Sequence, residues 1–206
     1  MKIGYELIVK DVDIPWGFSF LPDNSILIIE KEGELIHFKN GKKKLVEGML
    51  EVTLRGQGGL LDIAVHSNFK ENKLIYFTFA SSEGKEKGAN TSLMRARFEN
   101  NKLTNQEVFY KAEPNSRKGQ HFGSRIVFDN QNHVYFSIGD RGNRDLNPQD
   151  ITRYCGKIIR LNDNGSIPKD NPFVKILNAK KAIFTYGHRN PQGMEINPFT
   201  NQIWTQ

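Results

Sequence analysis

Residues 17–30 read GFSFLPDNSILIIE: an alternating apolar run, a polar turn made of Pro22, Asp23 and Asn24, and then a more continuous apolar run. The same design returns as DIAVHSNFKENKLIYFTFA (62–80), RIVFDNQNHVYFSIGD (125–140) and GMEINPFTNQIWTQ (193–206). Period-two alternation bounded by Pro, Asn and Asp marks a strand and its turn, and hardly any segment keeps helical periodicity for three turns. The chain is therefore expected to be all-β. Further strands follow the better-defined hairpins, as TSLMRARF (91–98) and EVFYKA (107–112) after the second and GKIIRLN (156–162) after the third.

Units of about four antiparallel strands beginning near residues 13, 57, 121 and 189 have the spacing of β-propeller blades carrying insertions. A β-sandwich with coincidentally similar hairpins is the competing reading. On the propeller reading, residues 1–206 are one domain of about three and a half blades, ending inside the second strand of a fourth unit. An unfinished ring leaves an open flank, so self-association through that apolar edge is expected.

At 206 residues and 37% hydrophobic, the chain is long enough for a sizeable core. No apolar run approaches the ~20 residues that cross a bilayer, so no membrane span is expected. The opening MKIGYELIVKDVDIPWG lacks the order of a signal peptide, although a removed leader would leave the same sequence. The single Cys155 excludes an intrachain disulfide and is read as a small apolar filler. The net charge is +6, but the lysines are scattered or sit in loop-like runs such as NGKKK (40–44). Nucleic acid is not an expected partner, because no recognisable binding module carries these charges.

In a propeller, the loops leading into the innermost strands converge on one end of the central channel. His121 lies in such a loop, GQHFGSR, and Asp140 ends the neighbouring strand in SIGDRG. A carboxylate beside an imidazole fixes its tautomer and suits it to act as a general base. A capped loop histidine and a turn aspartate would look the same. Gln57, among glycines in RGQGG, and Arg189 with Asn190, in the Pro-stiffened HRNPQG, occupy equivalent loops of the second and fourth units. A guanidinium there suits a planar carboxylated or quinonoid ligand, since its fork donates two parallel hydrogen bonds. Asp62 and His66 lie within or beyond a strand and are read as structural.

The strings GQGGLLDIAVHSNF (56–69), HFGSRIVFD (121–129), SIGDRG (137–142), GKIIRLNDNGSIPKDNPF (156–173) and YGHRNPQGMEINP (186–198), in this order, resemble the soluble quinoprotein glucose/sorbosone dehydrogenase family, especially its aldose sugar dehydrogenase branch. The resemblance runs from Asp13 onward. It implies a six-bladed propeller that uses pyrroloquinoline quinone (PQQ) with calcium to oxidise aldoses at the anomeric carbon to lactones, outside the cytoplasm (periplasmic or secreted), passing electrons to an external acceptor. By resemblance, His121 is the base, Asp140 orients it, Arg189 bonds the quinone carbonyl, Asn190 contacts the cofactor, and Gln57 and His121 contact the sugar.

Two departures stand out. The family's acidic and glycine-rich calcium segment follows the strand matching QIWTQ and so lies beyond Gln206, which leaves no metal ligands expected here and the fragment's own activity in question. Gln120 stands where the glucose-specific members carry an acid. Two other classes compete: a non-catalytic propeller that binds ligands or proteins, and a calcium-dependent sugar lactonase, which requires several converging acids.

Overall fold

The repeated turn has a backbone reason. In three of the four hairpins an asparagine takes the left-handed conformation just before the second strand: Asn24 (φ 64°), Asn132 (φ 63°) and Asn201 (φ 57°). Asn tolerates that region better than most residues. Each closes a matching turn, with Leu21 N donating to Ser25 O, Asp129 N to His133 O and Asn197 N to Gln202 O. In the second hairpin a single helical turn, α1 (Phe69–Asn72), replaces it, ended by Lys73 at φ 58°.

The computed structural model describes residues 3–206. The first sheet holds β1 (Pro15–Phe20), β2 (Ile26–Glu30), β3 (Leu35–Lys39) and β4 (Lys42–Leu45). The second holds β5 (Leu60–Val65), β6 (Leu74–Ser81), β7 (Asn90–Glu99) and β8 (Lys102–Lys111), and the third β9 (Ile126–Phe128), β10 (Val134–Ile138), β11 (Lys157–Leu161) and β12 (Ile183–Tyr186). A hairpin of β13 (Met194–Ile196) and β14 (Ile203–Thr205) completes the described chain. Each four-stranded sheet is an antiparallel meander in sequence order, and β1, β5, β9 and β13 touch in succession. This is the all-β propeller arrangement, three blades and a hairpin of a fourth. NGKKK is not the loop its charge suggested: Lys42 to Leu45 form the exposed edge strand β4, paired with β3.

The continuous apolar runs are strands covered on both faces. In β6, Ile75, Phe77 and Phe79 join Leu27, Ile29 and Leu35 in the core between the first two blades, while Tyr76 joins Val134, Phe136 and Ile138 in the next. In β10, Tyr135 turns the other way, towards Met194 and the last hairpin. Each fully buried side chain of this kind contributes about 1.5–3 kcal/mol relative to exposure. Among the described residues no helix is long and apolar enough to cross a membrane.

One carboxylate fixes the inner strands relative to one another. Asp62 in β5 is buried, accepts from Arg125 Nη1 at 2.7 Å and from the Ile126 amide at 2.7 Å, and lies 2.9 Å from where a Cβ on Gly17 of β1 would stand. Burial pushes its carboxyl up from 3.8 to about 6, against the opposing pull of Arg125 and the Ile126 amide. Between those two values the folded chain holds a proton that the unfolded chain has released, so this group's contribution to stability falls as pH rises through that window. Asp62→Asn should therefore be less stable than the parent at pH 4.5 by more than at pH 7.5, with a change in the difference of about 2 kcal/mol. Urea midpoints of both proteins at the two pH values measure it.

Candidate active site

The loops preceding β5, β9 and β13 and the turn after β10 meet at one end of the blades, and they bring together all five residues singled out from the sequence. His121 Nδ1 lies 2.7 Å from Asp140 Oδ1, with the carboxylate fully buried and the ring largely so. A carboxylate only accepts, so the pair places the proton on Nδ1 and leaves the Nε2 lone pair free. Nε2 makes no hydrogen bond among the described residues, and His121 lines a cavity of about 390 Å³ together with His188, Arg189, Asn190, Pro191 and Gln206.

His121 itself is in the left-handed region at φ 55°, as is Ser124 at φ 96°. A non-glycine residue occupies this region at some cost, and the hydrogen bonds around the segment hold it there. The His121 amide donates to Gln57 Oε1 at 2.7 Å, and the Gln57 amide returns a bond to Gly119 O at 2.7 Å. Gln57 thus clamps the His121 segment with its side-chain oxygen, and its side-chain nitrogen makes no hydrogen bond among the described residues. Asp140 is tied in turn: its Oδ1 also accepts from the Gly142 amide at 2.7 Å, and its carbonyl accepts from Asn147 Nδ2 at 2.9 Å.

The HRNPQ loop is held residue by residue. Arg189 O accepts from the Asp140 amide at 2.7 Å and Asn190 Oδ1 from the Gly123 amide at 3.1 Å. Pro191 O accepts from Ser137 Oγ at 2.7 Å and Gln192 O from Arg125 Nε at 3.0 Å. Four consecutive residues are therefore bolted to the third blade, while the Arg189 guanidinium is exposed and makes no hydrogen bond among the described residues. His188 was not singled out from the sequence. It lines the cavity with Nε2 against Thr185 Oγ1 at 2.6 Å, and burial lowers its pKa, which favours the neutral ring. Asn147 and Gln206 were missed as well, since isolated polar residues in loops carry no spacing signal. Cys155 is half-buried, and burial pushes its thiol up, the reverse of what a nucleophile needs.

Residues 12–206 match the family described as Glucose / Sorbosone dehydrogenase. The chain belongs to that family. It is 36% identical over 207 residues to the aldose sugar dehydrogenase YliI of Escherichia coli (strain K12), covering 98% of this chain and 55% of that one. It is 32% identical over 221 residues to quinoprotein glucose dehydrogenase B of Acinetobacter calcoaceticus, covering 94% and 46%. The crystal structure of the soluble aldose sugar dehydrogenase from Escherichia coli, in its apo form, superposes with a TM-score of 0.89 at 36% identity over 94% of this chain and 56% of that one. The chain thus spans about half the length of the relatives it matches.

Gly139 shows how closely this family member packs its site. A Cβ there would overlap the His121 carbonyl oxygen and stand 2.9 Å from Asn190 Oδ1. Gly139→Ala is expected to cost about 1–3 kcal/mol through overpacking. Gly4→Ala, where a Cβ meets nothing, should be neutral in the same urea titration.

Proposed function

We propose that the chain forms part of a PQQ-dependent dehydrogenase that oxidises aldoses at the anomeric carbon to lactones. The observation that carries this reading is the shared cavity: His121, held on Asp140 through Nδ1, and Arg189, whose guanidinium makes no hydrogen bond among the described residues, line the same space. A binding module has no use for a base held in one tautomer opposite a cation.

The residues suit a planar anionic quinone. Arg189 offers two parallel donors, and Asn190 keeps its amide nitrogen free once its oxygen is spent on Gly123. Arg189 and Asn190 would hold the cofactor, which when bound supplies the two-electron acceptor for a hydride leaving the anomeric carbon. Calcium is what the resemblance implies; among the described residues no group of three or more His, Cys, Asp or Glu is placed to hold a metal ion.

The protein's own part is proton chemistry and electrostatics. His121 Nε2 takes the proton of the anomeric hydroxyl as the C–H bond breaks. Asp140 keeps Nδ1 protonated and offsets the positive charge that the ring acquires, and its burial strengthens that effect. Arg189 would stabilise negative charge developing on the bound cofactor. Gln57, through its free amide nitrogen, orients the sugar hydroxyls. A positioned general base contributes ~10²–10⁴-fold. With PQQ and calcium supplied, His121→Ala should lower aldose-dependent dye reduction by that factor while leaving PQQ binding, followed by fluorescence quenching, within twofold. Arg189→Ala should instead weaken PQQ binding roughly 10- to 100-fold, the loss of a hydrogen bond to a charged group. Dye reduction that survives in His121→Ala overturns the reading.

We propose in addition that the 206-residue chain self-associates through its flanks. Phe18 and Phe20, on one face of β1, stand 62% and 60% exposed, and Trp204 is 63% exposed on β14. Replacing Phe18 and Phe20 by Ser should shift the sedimentation profile towards monomer at concentrations where the parent chain associates. An unchanged profile rules this face out.

A further inference from the structure

Arg141 is a buried cation without an anion. It is 3% exposed, and its described partners are two carbonyl oxygens and a ring. Nη2 donates to Lys118 O at 2.6 Å and, at 3.4 Å, to Ala89 O at the start of β7. The guanidinium carbon lies 3.4 Å from the centre of the Phe122 ring. Nε and Nη1 have no hydrogen-bond partner among the described residues. Burial draws the group down to about 10, which leaves it charged at neutral pH. A buried charge left partly unsatisfied is unfavourable, and a hydrophobic residue would fill the same space without that penalty.

What the arginine does that a hydrophobe cannot is grip the His121 segment on both sides at once. It bonds a carbonyl three residues before His121 and stacks on the ring one residue after it, while its neighbour Asp140 holds the imidazole. Arg55 Nε likewise donates to Arg117 O at 2.8 Å. Two guanidiniums from two different blades therefore cap consecutive carbonyls of one segment. Arg141 itself adopts a left-handed backbone, φ 57°, and Gly142 follows at φ 72°, where a Cβ would overlap the side chain of Gln120. The turn after β10 is shaped to fold back over residues 118–122.

We infer that Arg141 is a positioning residue for His121: it holds Lys118 to Phe122 so that His121 stays in its left-handed conformation with Nδ1 on Asp140. The inference rests on the reading of His121 as the base only for its functional meaning. The geometric statement stands by itself and is tested without sugar or cofactor.

In the ¹⁵N-labelled chain, the proton on His121 Nδ1, bonded to a carboxylate, gives a downfield resonance assigned by its loss in His121→Gln. Arg141→Met keeps the length and the contact with Phe122 but removes the donors. It should broaden that resonance beyond detection and speed exchange of the His121 amide at least tenfold, with the Phe136 amide of β10 unchanged within twofold. Arg141→Lys, which can still reach Lys118 O, should recover part of both signals. Millimolar guanidinium added to Arg141→Ala should restore the resonance. The inference is overturned if Arg141→Met leaves the resonance and His121 exchange as in the parent. It is equally overturned if all third-blade amides speed up by one common factor, or if neither the Met nor the Lys variant folds, since Arg141 is then a general stability residue. Failure of the dye-reduction test above would leave these NMR outcomes untouched, so the two readings fail separately.

Discussion

The site depends on three inner strands being held at fixed heights relative to one another, and the Asp62 carboxylate is the contact that does it. It reaches from β5 to the first residues of β9, with Gly17 of β1 making room for it. Blade faces are broad apolar surfaces, and such surfaces tolerate sliding because the hydrophobic effect is non-directional. A buried, charge-assisted bond does not slide. With β5 and β9 locked together, the loops before them arrive at the channel end in register, and Gln57 meets the His121 amide.

From that anchor the site is assembled almost wholly by backbone capture. Gln57 holds His121, Gly123 takes hold of Asn190, and Asp140 joins Arg189 through main-chain atoms. The polar atoms left without a hydrogen-bond partner among the described residues are Nε2 of His121, the guanidinium of Arg189 and the side-chain amide nitrogens of Gln57 and Asn190. This division lets side chains stand ready without having to find their places when a ligand arrives, which is how preorganised sites avoid ordering costs.

Much of this was legible in the chain. The alternating run, Asn-bearing turn and continuous run gave the blades, because the left-handed turn and the two-faced strand each demand particular residue types. That His121, Asp140, Gln57, Arg189 and Asn190 come together was readable because glycines and a proline frame them in loops at equivalent points of successive units. Other features were not. β4 was hidden by its lysines, since an edge strand open to water needs no apolar side chains. Likewise, α1 is one turn long and leaves no periodicity. His188 sat inside the quoted HRNPQG context yet gave no sign of lining the cavity, and Arg141 looked like an ordinary turn arginine. Whether a charged residue is buried depends on partners far away in sequence, here Lys118, Ala89 and Phe122, and no local pattern reports that.

The lysines of β4 bear on how blades of this kind meet other surfaces. Lys42, Lys43 and Lys44 all face solvent on the outer rim of the first blade, and charges on a rim strand repel a would-be neighbour seeking to extend the ladder. The aromatic residues left open, Phe18, Phe20 and Trp204, lie instead on the faces that look along the ring. The charged rim thus disfavours edge-to-edge extension of the ladder, while the exposed apolar area is kept to the faces.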